Sequence, residues 1–196
     1  MGVKLYLVKQ NKMEVDTNTI LKKIIQKERD VSCNKINFYK SEYGKPHLKN
    51  IDLYFNISHT SGMSVIAMSD SNIGVDVENI DNVIISKNKI KRISMRFFTI
   101  SEQKYIFNET KGQVIRFYEI WTKNEAYVKY QGKSLVKEIK NFCLFDNHIC
   151  EKMKTIKKEQ FIISICSSQF KTVEKNCFEI YVMNDKKFVR GDCYEC

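Results

Sequence analysis

Hydrophobic positions along this chain follow two periods, and the switches between them mark out the elements. Residues 3–8 read as a strand. Over residues 17–30 the period lengthens: Ile20, Leu21, Ile24 and Ile25 form one stripe of a helix whose other face carries lysines. Short strands are predicted at 36–39, 53–57, 63–68 and 73–78, separated by turn-rich pieces. From about Ser86 the period becomes helical again. It predicts one helix over 87–97, another opening after Thr99, and a longer one over 113–130 that stops near Gly132. Strands return at 142–145, 161–165 and 178–182, and the polar end from about residue 185 is expected to fray. The order predicts an α+β fold with two halves side by side, residues 1–70 and 71–196. Similarity between the halves is too weak to call a repeat.

Composition narrows the class. Of 196 residues, 43% are hydrophobic and 29% charged, the balance of a globular protein rather than a disordered one. No apolar run approaches the ~20 residues needed to cross a bilayer, and the opening MGVKLYLVKQNK is apolar for too short a stretch to be a secretory signal. The expectation is a monomeric cytoplasmic protein, without a membrane partner. Seven cysteines, an odd number, argue against a disulfide framework; Cys193-x-x-Cys196 lacks the second pair a structural zinc site needs. The net charge of +10 points to an anionic partner. A nucleic acid, a phosphorylated cofactor and an acidic protein all fit that charge, but no nucleic-acid motif accompanies it.

Five stretches carry candidate chemistry. In Ile73-Gly74-Val75-Asp76-Val77-Glu78, strand alternation puts the three aliphatic residues on one face and both carboxylates on the other, beside Gly74. Paired carboxylates of this kind suit a hard divalent cation, and they equally fit an ordinary strand with an acidic outer face. Trp121, Glu125 and Lys129 recur every four residues along one line of the long helix; Glu125 and Lys129 also read as an ordinary surface pair. Phe55-Asn56-Ile57-Ser58-His59-Thr60 ends a strand in a polar cluster that fits a phosphate-binding corner or a plain turn. In Glu42-Tyr43-Gly44-Lys45-Pro46, Pro46 holds Lys45 extended and Gly44 lets the chain bend before it. Thr99-Ile100-Ser101-Glu102 is a capping box, which by itself accounts for Glu102.

Taken in order, EYGKPHL, FNISHTSG, GVDVE, RFFTISE and FYEIWTKNEAYVKYQGKSL resemble the 4′-phosphopantetheinyl transferases of the surfactin-synthetase-activating type, over roughly residues 17 to 145. The resemblance implies a pseudo-twofold pair of similar α+β halves with the active site in the cleft between them. It implies transfer of the 4′-phosphopantetheine arm of coenzyme A to a serine of an acidic acyl or peptidyl carrier protein, with release of 3′,5′-ADP. By the same resemblance Asp76, Glu78 and Glu125 hold Mg²⁺, and Lys129 neutralises the pyrophosphate. Ser58 and His59 contact cofactor phosphates, Gly44, Lys45 and Pro46 line the adenine pocket, and Glu102 takes the serine proton. Two departures stand out. Asn124 occupies a position where the family usually has lysine, and only eight residues separate the first strand from the helix at Thr17, where relatives carry a further helical stretch. Lys22, Lys23 and Lys45 are the cations left to meet the 3′-phosphate. These departures are the support for the alternative, an impaired relative that holds coenzyme A or a carrier without transfer; retention of the three carboxylates and Lys129 argues against it.

Overall fold

In the computed structural model, residues 2–9, 16–81, 85–171, 178–184 and 187–194 are described. The elements in chain order are β1 (Lys4–Lys9), α1 (Thr17–Arg29), β2 (Phe38–Lys40), β3 (Pro46–Leu48), β4 (Tyr54–Thr60), β5 (Met63–Ser69) and β6 (Ile73–Asn79). They continue with α2 (Lys87–Phe97), α3 (Ile100–Phe107), α4 (Gln113–Gln131), α5 (Leu135–Glu138), α6 (Asn147–Cys150), β7 (Met153–Lys158), β8 (Phe161–Ser167), β9 (Phe178–Asn184) and β10 (Lys187–Tyr194). The fold is α+β. Three sheets form: β10-β9-β1-β5-β4, β6-β8-β7, and the hairpin β2-β3. Among the described residues no helix is long and apolar enough to cross a membrane.

Alternation in the strands builds four layers. Leu5, Leu7, Val65 and Ala67 of the five-stranded sheet meet Val75, Val77, Ile163 and Ile165 of the three-stranded sheet in a shared core. The other face of the larger sheet, with Tyr6, Val8, Ile66 and Met68, is covered by Ile20, Leu21, Ile24 and Ile25 of α1. Each such side chain contributes about 1.5–3 kcal/mol when fully buried. Asp16 caps α1, its carboxylate accepting from the amides of Asn18 and Thr19, and Asp30 ends the helix in the left-handed conformation. On the far face of the smaller sheet lie α2, α3 and α4, packed through Ile90, Ile106, Phe117, Ile120 and Ala126.

Several elements differ from the sequence expectation, which did not include β3, α5 or α6. No strand forms at 142–145; there the Leu144 amide donates to a side chain, Glu102 Oε1, and the chain turns at Cys143–Asp146. β7, rich in lysine, gave no apolar alternation and was not anticipated; it is an edge strand paired with β8. The segment expected to fray beyond residue 185 instead forms β10 against β9, and β9 pairs in parallel with β1, so the end of the chain completes the sheet that its start began. Cys196, one of the paired tail cysteines, lies outside the described residues.

At Gly74, where α4 crosses β6, helix and strand backbones come into close contact. A Cβ on Gly74 would sit 2.0 Å from Ala126 O and 2.4 Å from Tyr130 N. Both are helix backbone, which cannot swing aside. Gly74→Ala is expected to push α4 off β6 and destabilise the fold by roughly 1–3 kcal/mol. A urea unfolding midpoint equal to wild type would show that the contact is not what sets the helix position.

Candidate active site

Because β6 alternates, Gly74, Asp76 and Glu78 face α4 while Ile73, Val75 and Val77 enter the inter-sheet core. Glu125 and Lys129, one turn apart, lie on the face of α4 that meets them. Asp76 Oδ1 accepts from Lys129 Nζ at 2.7 Å and from Ser58 Oγ of β4 at 2.8 Å, and Lys129 Nζ also donates to Ser58 Oγ at 3.1 Å. Three elements, one of them from the larger sheet, therefore converge on one carboxylate that is 5% exposed.

Burial pushes the Asp76 carboxyl above its usual range, against the pull of Lys129 and Ser58. Glu78 is raised by burial and by the charge of Asp76, and lowered by a hydrogen bond from Trp121. Burial and then the charges of Asp76 and Glu78 lift Glu125 to about 7, with Lys129 opposing. Three carboxylates thus feel one another and share a single lysine. Asp76 Oδ2 is buried without any partner, an arrangement that costs ~1–3 kcal/mol unless something else fills the place. Among the described residues no group of three or more His, Cys, Asp and Glu is gathered into a ready metal-binding set. The donor chemistry nonetheless fits Mg²⁺, which takes one or two carboxylates and completes its shell with water and phosphate oxygens.

β4 places its polar residues by parity. Asn56 Oδ1 accepts from the Val75 amide at 2.9 Å, Ser58 donates to Asp76, and Thr60 Oγ1 accepts from the Asn79 amide at 3.3 Å. Asn56 and Thr60 satisfy amides on the free edge of β6 and Ser58 bonds to the Asp76 carboxylate, so the core-facing side of β4 ties the two sheets together. The sequence offers Thr60 as part of a phosphate-binding corner and assigns Asn56 no role; the alternation Asn56, Ser58, Thr60 is the signal that all three share one face of the strand. The same parity separates Ser58 from His59. Ser58 is buried and its hydroxyl is engaged by Asp76 and Lys129, whereas His59 is exposed and lies on the opposite face of the strand. The two side chains therefore point to opposite faces of β4.

Gly44, with φ 81°, and Lys45 line a cavity of about 170 Å³ together with Asn56, Lys129 and Lys133. Lys45 is buried, and that burial pulls its ammonium down to about 8. Pro46 instead lines a larger pocket of about 460 Å³ on the α1 side, with Lys22, Lys40, Tyr39 and Phe55. Asn124 is fully buried under α4, its Nδ2 donating to Ile120 O at 3.0 Å, so the departure at this position changes the packing under the helix and not the surface of the site.

Glu102 stands apart from the carboxylate cluster. Its side chain has no exposed surface; Oε2 accepts from the Thr99 amide at 2.8 Å and Oε1 from the Leu144 amide at 3.1 Å. Both oxygens are thus held by backbone amides, which accounts for the carboxylate as a structural tie between the start of α3 and Leu144. In Glu102→Gln one amide donor would be turned toward a backbone N–H. The variant is expected to lose ~1–3 kcal/mol of stability; an unaltered melting temperature would mean the carboxylate is not held this way.

Glu125 makes the cluster pH-dependent. Its folded value near 7 exceeds the ordinary 4.5, so between these values the folded chain keeps a proton that the unfolded chain releases. Stability contributed at this position falls as pH rises through that window and levels off above it. In metal-free buffer the urea midpoint of the wild type is expected to fall from pH 5 to pH 8 by more than that of Glu125→Gln, a difference on the order of 1 kcal/mol. Parallel pH profiles for the two proteins would remove Glu125 from the cluster.

Comparison with known proteins places the sequence in a family. The profile of the 4′-phosphopantetheinyl transferase superfamily matches residues 72–183, more than half the chain and the part that carries Asp76, Glu78, Glu125 and Lys129. The chain is similar to the 4′-phosphopantetheinyl transferase gsp of Aneurinibacillus migulanus, at 34% identity over 65% of this chain and 52% of the relative. It is also similar to the 4′-phosphopantetheinyl transferase Sfp of Bacillus subtilis (strain 168), at 28% identity over 64% of this chain and 54% of the relative. The chain spans about half the length of the curated relatives it matches. It belongs to the 4′-phosphopantetheinyl transferase superfamily.

Proposed function

We propose that this chain transfers the 4′-phosphopantetheine group of coenzyme A to a serine of an apo acyl or peptidyl carrier protein. The serine oxygen forms a bond to the β-phosphorus of the pyrophosphate. The bond from that phosphorus to the bridging oxygen breaks, and 3′,5′-ADP leaves with the electron pair. The observation that carries the reading is the cluster of Asp76, Glu78 and Glu125 around one lysine, with a buried oxygen left unpaired.

In this reading the α1-covered sheet and the α4-covered sheet are pseudo-twofold halves with coenzyme A between them. Asp76, Glu78 and Glu125 would hold Mg²⁺, which supplies charge stabilisation to the phosphoryl oxygens. Lys129 adds a fixed positive charge beside the same centre. The serine proton is released to water; Glu125, whose carboxyl near 7 belongs to the metal-free cluster, would give up its own proton to hold the cation. The pocket of about 460 Å³ lined by Tyr39, Pro46, Lys22 and Lys40 suits an aromatic base with phosphate nearby.

The partner's acidity is supported by α2. Lys87, Lys89, Lys91, Arg92 and Arg96 are exposed, the helix contains no acid, and Met95 is 60% exposed among them. Phe97 at its end packs edge-on against Trp121 at 6.4 Å, and Trp121 bonds to Glu78. An acidic carrier lying along this helix would bring its serine toward the carboxylates, with attraction weakened by salt.

The test is intact-mass analysis of an apo carrier after incubation with the chain, coenzyme A and Mg²⁺. One added phosphopantetheine per carrier is expected. Asp76→Asn and Glu125→Gln should each slow transfer at least ~100-fold, while Lys91→Glu/Arg92→Glu should raise the KM for carrier and leave that for coenzyme A unchanged. Coenzyme A binding without any transfer by the wild type would sink the reading and favour a relative that only holds the cofactor.

A further inference from the structure

Lys45 lies in a loop remote in sequence from α4, yet it meets the end of that helix. Its Nζ donates to Asn72 Oδ1 at 2.7 Å, to Ile73 O at 2.9 Å and to Tyr130 O at 3.3 Å. An ammonium has three N–H groups and all three are taken. The acceptors are neutral, and no donor remains for a phosphate.

Tyr130 O belongs to the last turn of α4, where carbonyls have no partner within the helix. Asn72 Nδ2 donates to this same carbonyl while its Oδ1 accepts from Lys45. Lys45, Asn72 and Tyr130 form a closed triangle that ties the hairpin loop, the start of β6 and the end of α4 together. A positive group at a helix C-terminus also complements its dipole. The turn closes just beyond, where Gly132 takes a left-handed φ of 67° and its amide donates to Lys129 O. The stem of Lys45 runs close by: a Cβ on Gly132 would stand 3.5 Å from Lys45 Cδ.

Lys129 is the residue before Tyr130, and its Nζ is aimed at Asp76 and Ser58. We propose that Lys45 and Asn72 are positioning residues: by clamping the Tyr130 carbonyl they fix the last turn of α4 and hold Lys129 against Asp76, and the Lys45 side chain is not a ligand contact. The inference rests on the transfer reading for its kinetic consequence, though the clamp itself does not depend on it.

Lys45→Met keeps the length of the stem and removes the three donors, and Asn72→Ala opens the same triangle from a residue no ligand reading involves. For both, coenzyme A affinity by calorimetry is expected to stay within about twofold of wild type. Turnover at saturating coenzyme A should fall about tenfold or more, since a shift of ~1 Å at a reacting group costs up to 10²-fold. A tenfold weaker affinity in Lys45→Met with unchanged turnover would overturn the proposal and make Lys45 a ligand contact. Unchanged turnover with only a lowered melting temperature would overturn it as well, leaving a structural tie. Should Lys45→Met fail to fold, Asn72→Ala carries the same comparison. A wild type that transfers nothing would defeat the transferase reading alone. The clamp is then read in the ¹H–¹⁵N spectrum of lysine ammonium groups, where the Lys129 signal, identified by its loss in Lys129→Arg, should disappear in Asn72→Ala. Its persistence would overturn the clamp.

Discussion

The geometry of the carboxylate cluster depends on how closely α4 can lie on β6. Helices usually pack on sheets through interposed side chains. Here the absence of a side chain at Gly74 brings helix backbone into contact with strand backbone. That approach puts Glu125 and Lys129 within reach of Asp76, which lies two residues along the same strand face. With the helix held further out, Asp76 would face a gap and the lysine would have no carboxylate to meet. Residue 74 thus sets the spacing of the cluster although it carries no side-chain chemistry.

The approach has an electrostatic consequence. Asp76 is drawn out of water, and one lysine cannot balance it together with Glu78 and Glu125. Burying like charges side by side raises their proton affinities, which is the pattern at all three. A fold selected only for stability would place apolar groups here. Elsewhere apolar residues line the inter-sheet core, α1 and α3 carry side-chain caps, and the hydroxyls of Thr122, Ser164 and Thr155 bond to one another, while Ser94 Oγ, Asn124 Oδ1 and Gln131 Oε1 are also buried without a partner. What sets the cluster apart is like charge gathered around one lysine.

Much of this was legible in the sequence where a pattern is local. Alternation in Ile73 to Glu78 assigns both the strand and the face of its carboxylates, and four-residue spacing aligns Glu125 with Lys129. Helices α2 and α4 follow their periodicity almost residue for residue. What could not be read depends on contacts distant along the chain. β7 and β10 form because neighbours offer ladders, not because their own residues alternate in hydrophobicity. The apolar run at 142–145 imitates a strand, but the amide that a ladder would use is taken by Glu102, 42 residues earlier. Adjacent Ser58 and His59 suggest joint action as letters and point apart as strand residues.

Residues that bear charge in the cluster all lie between 76 and 129, within the span that the superfamily profile matches. The groups that align them lie largely before it. Asn56 and Thr60 hold the free edge of β6, Ser58 orients Asp76, and Lys45 reaches the end of α4. Docking through side chains is weaker and more selective than a continuous ladder, because each bond needs one particular side chain at one particular register. The larger sheet therefore serves the smaller one as a jig. A substitution in β4 or in the loop before Pro46 reaches the carboxylates through a single hydrogen bond rather than through general loosening of the fold. Effects of changes at Asn56, Ser58 and Lys45 should for that reason be non-additive with those at Asp76 and Lys129, since the groups share acceptors and one lysine.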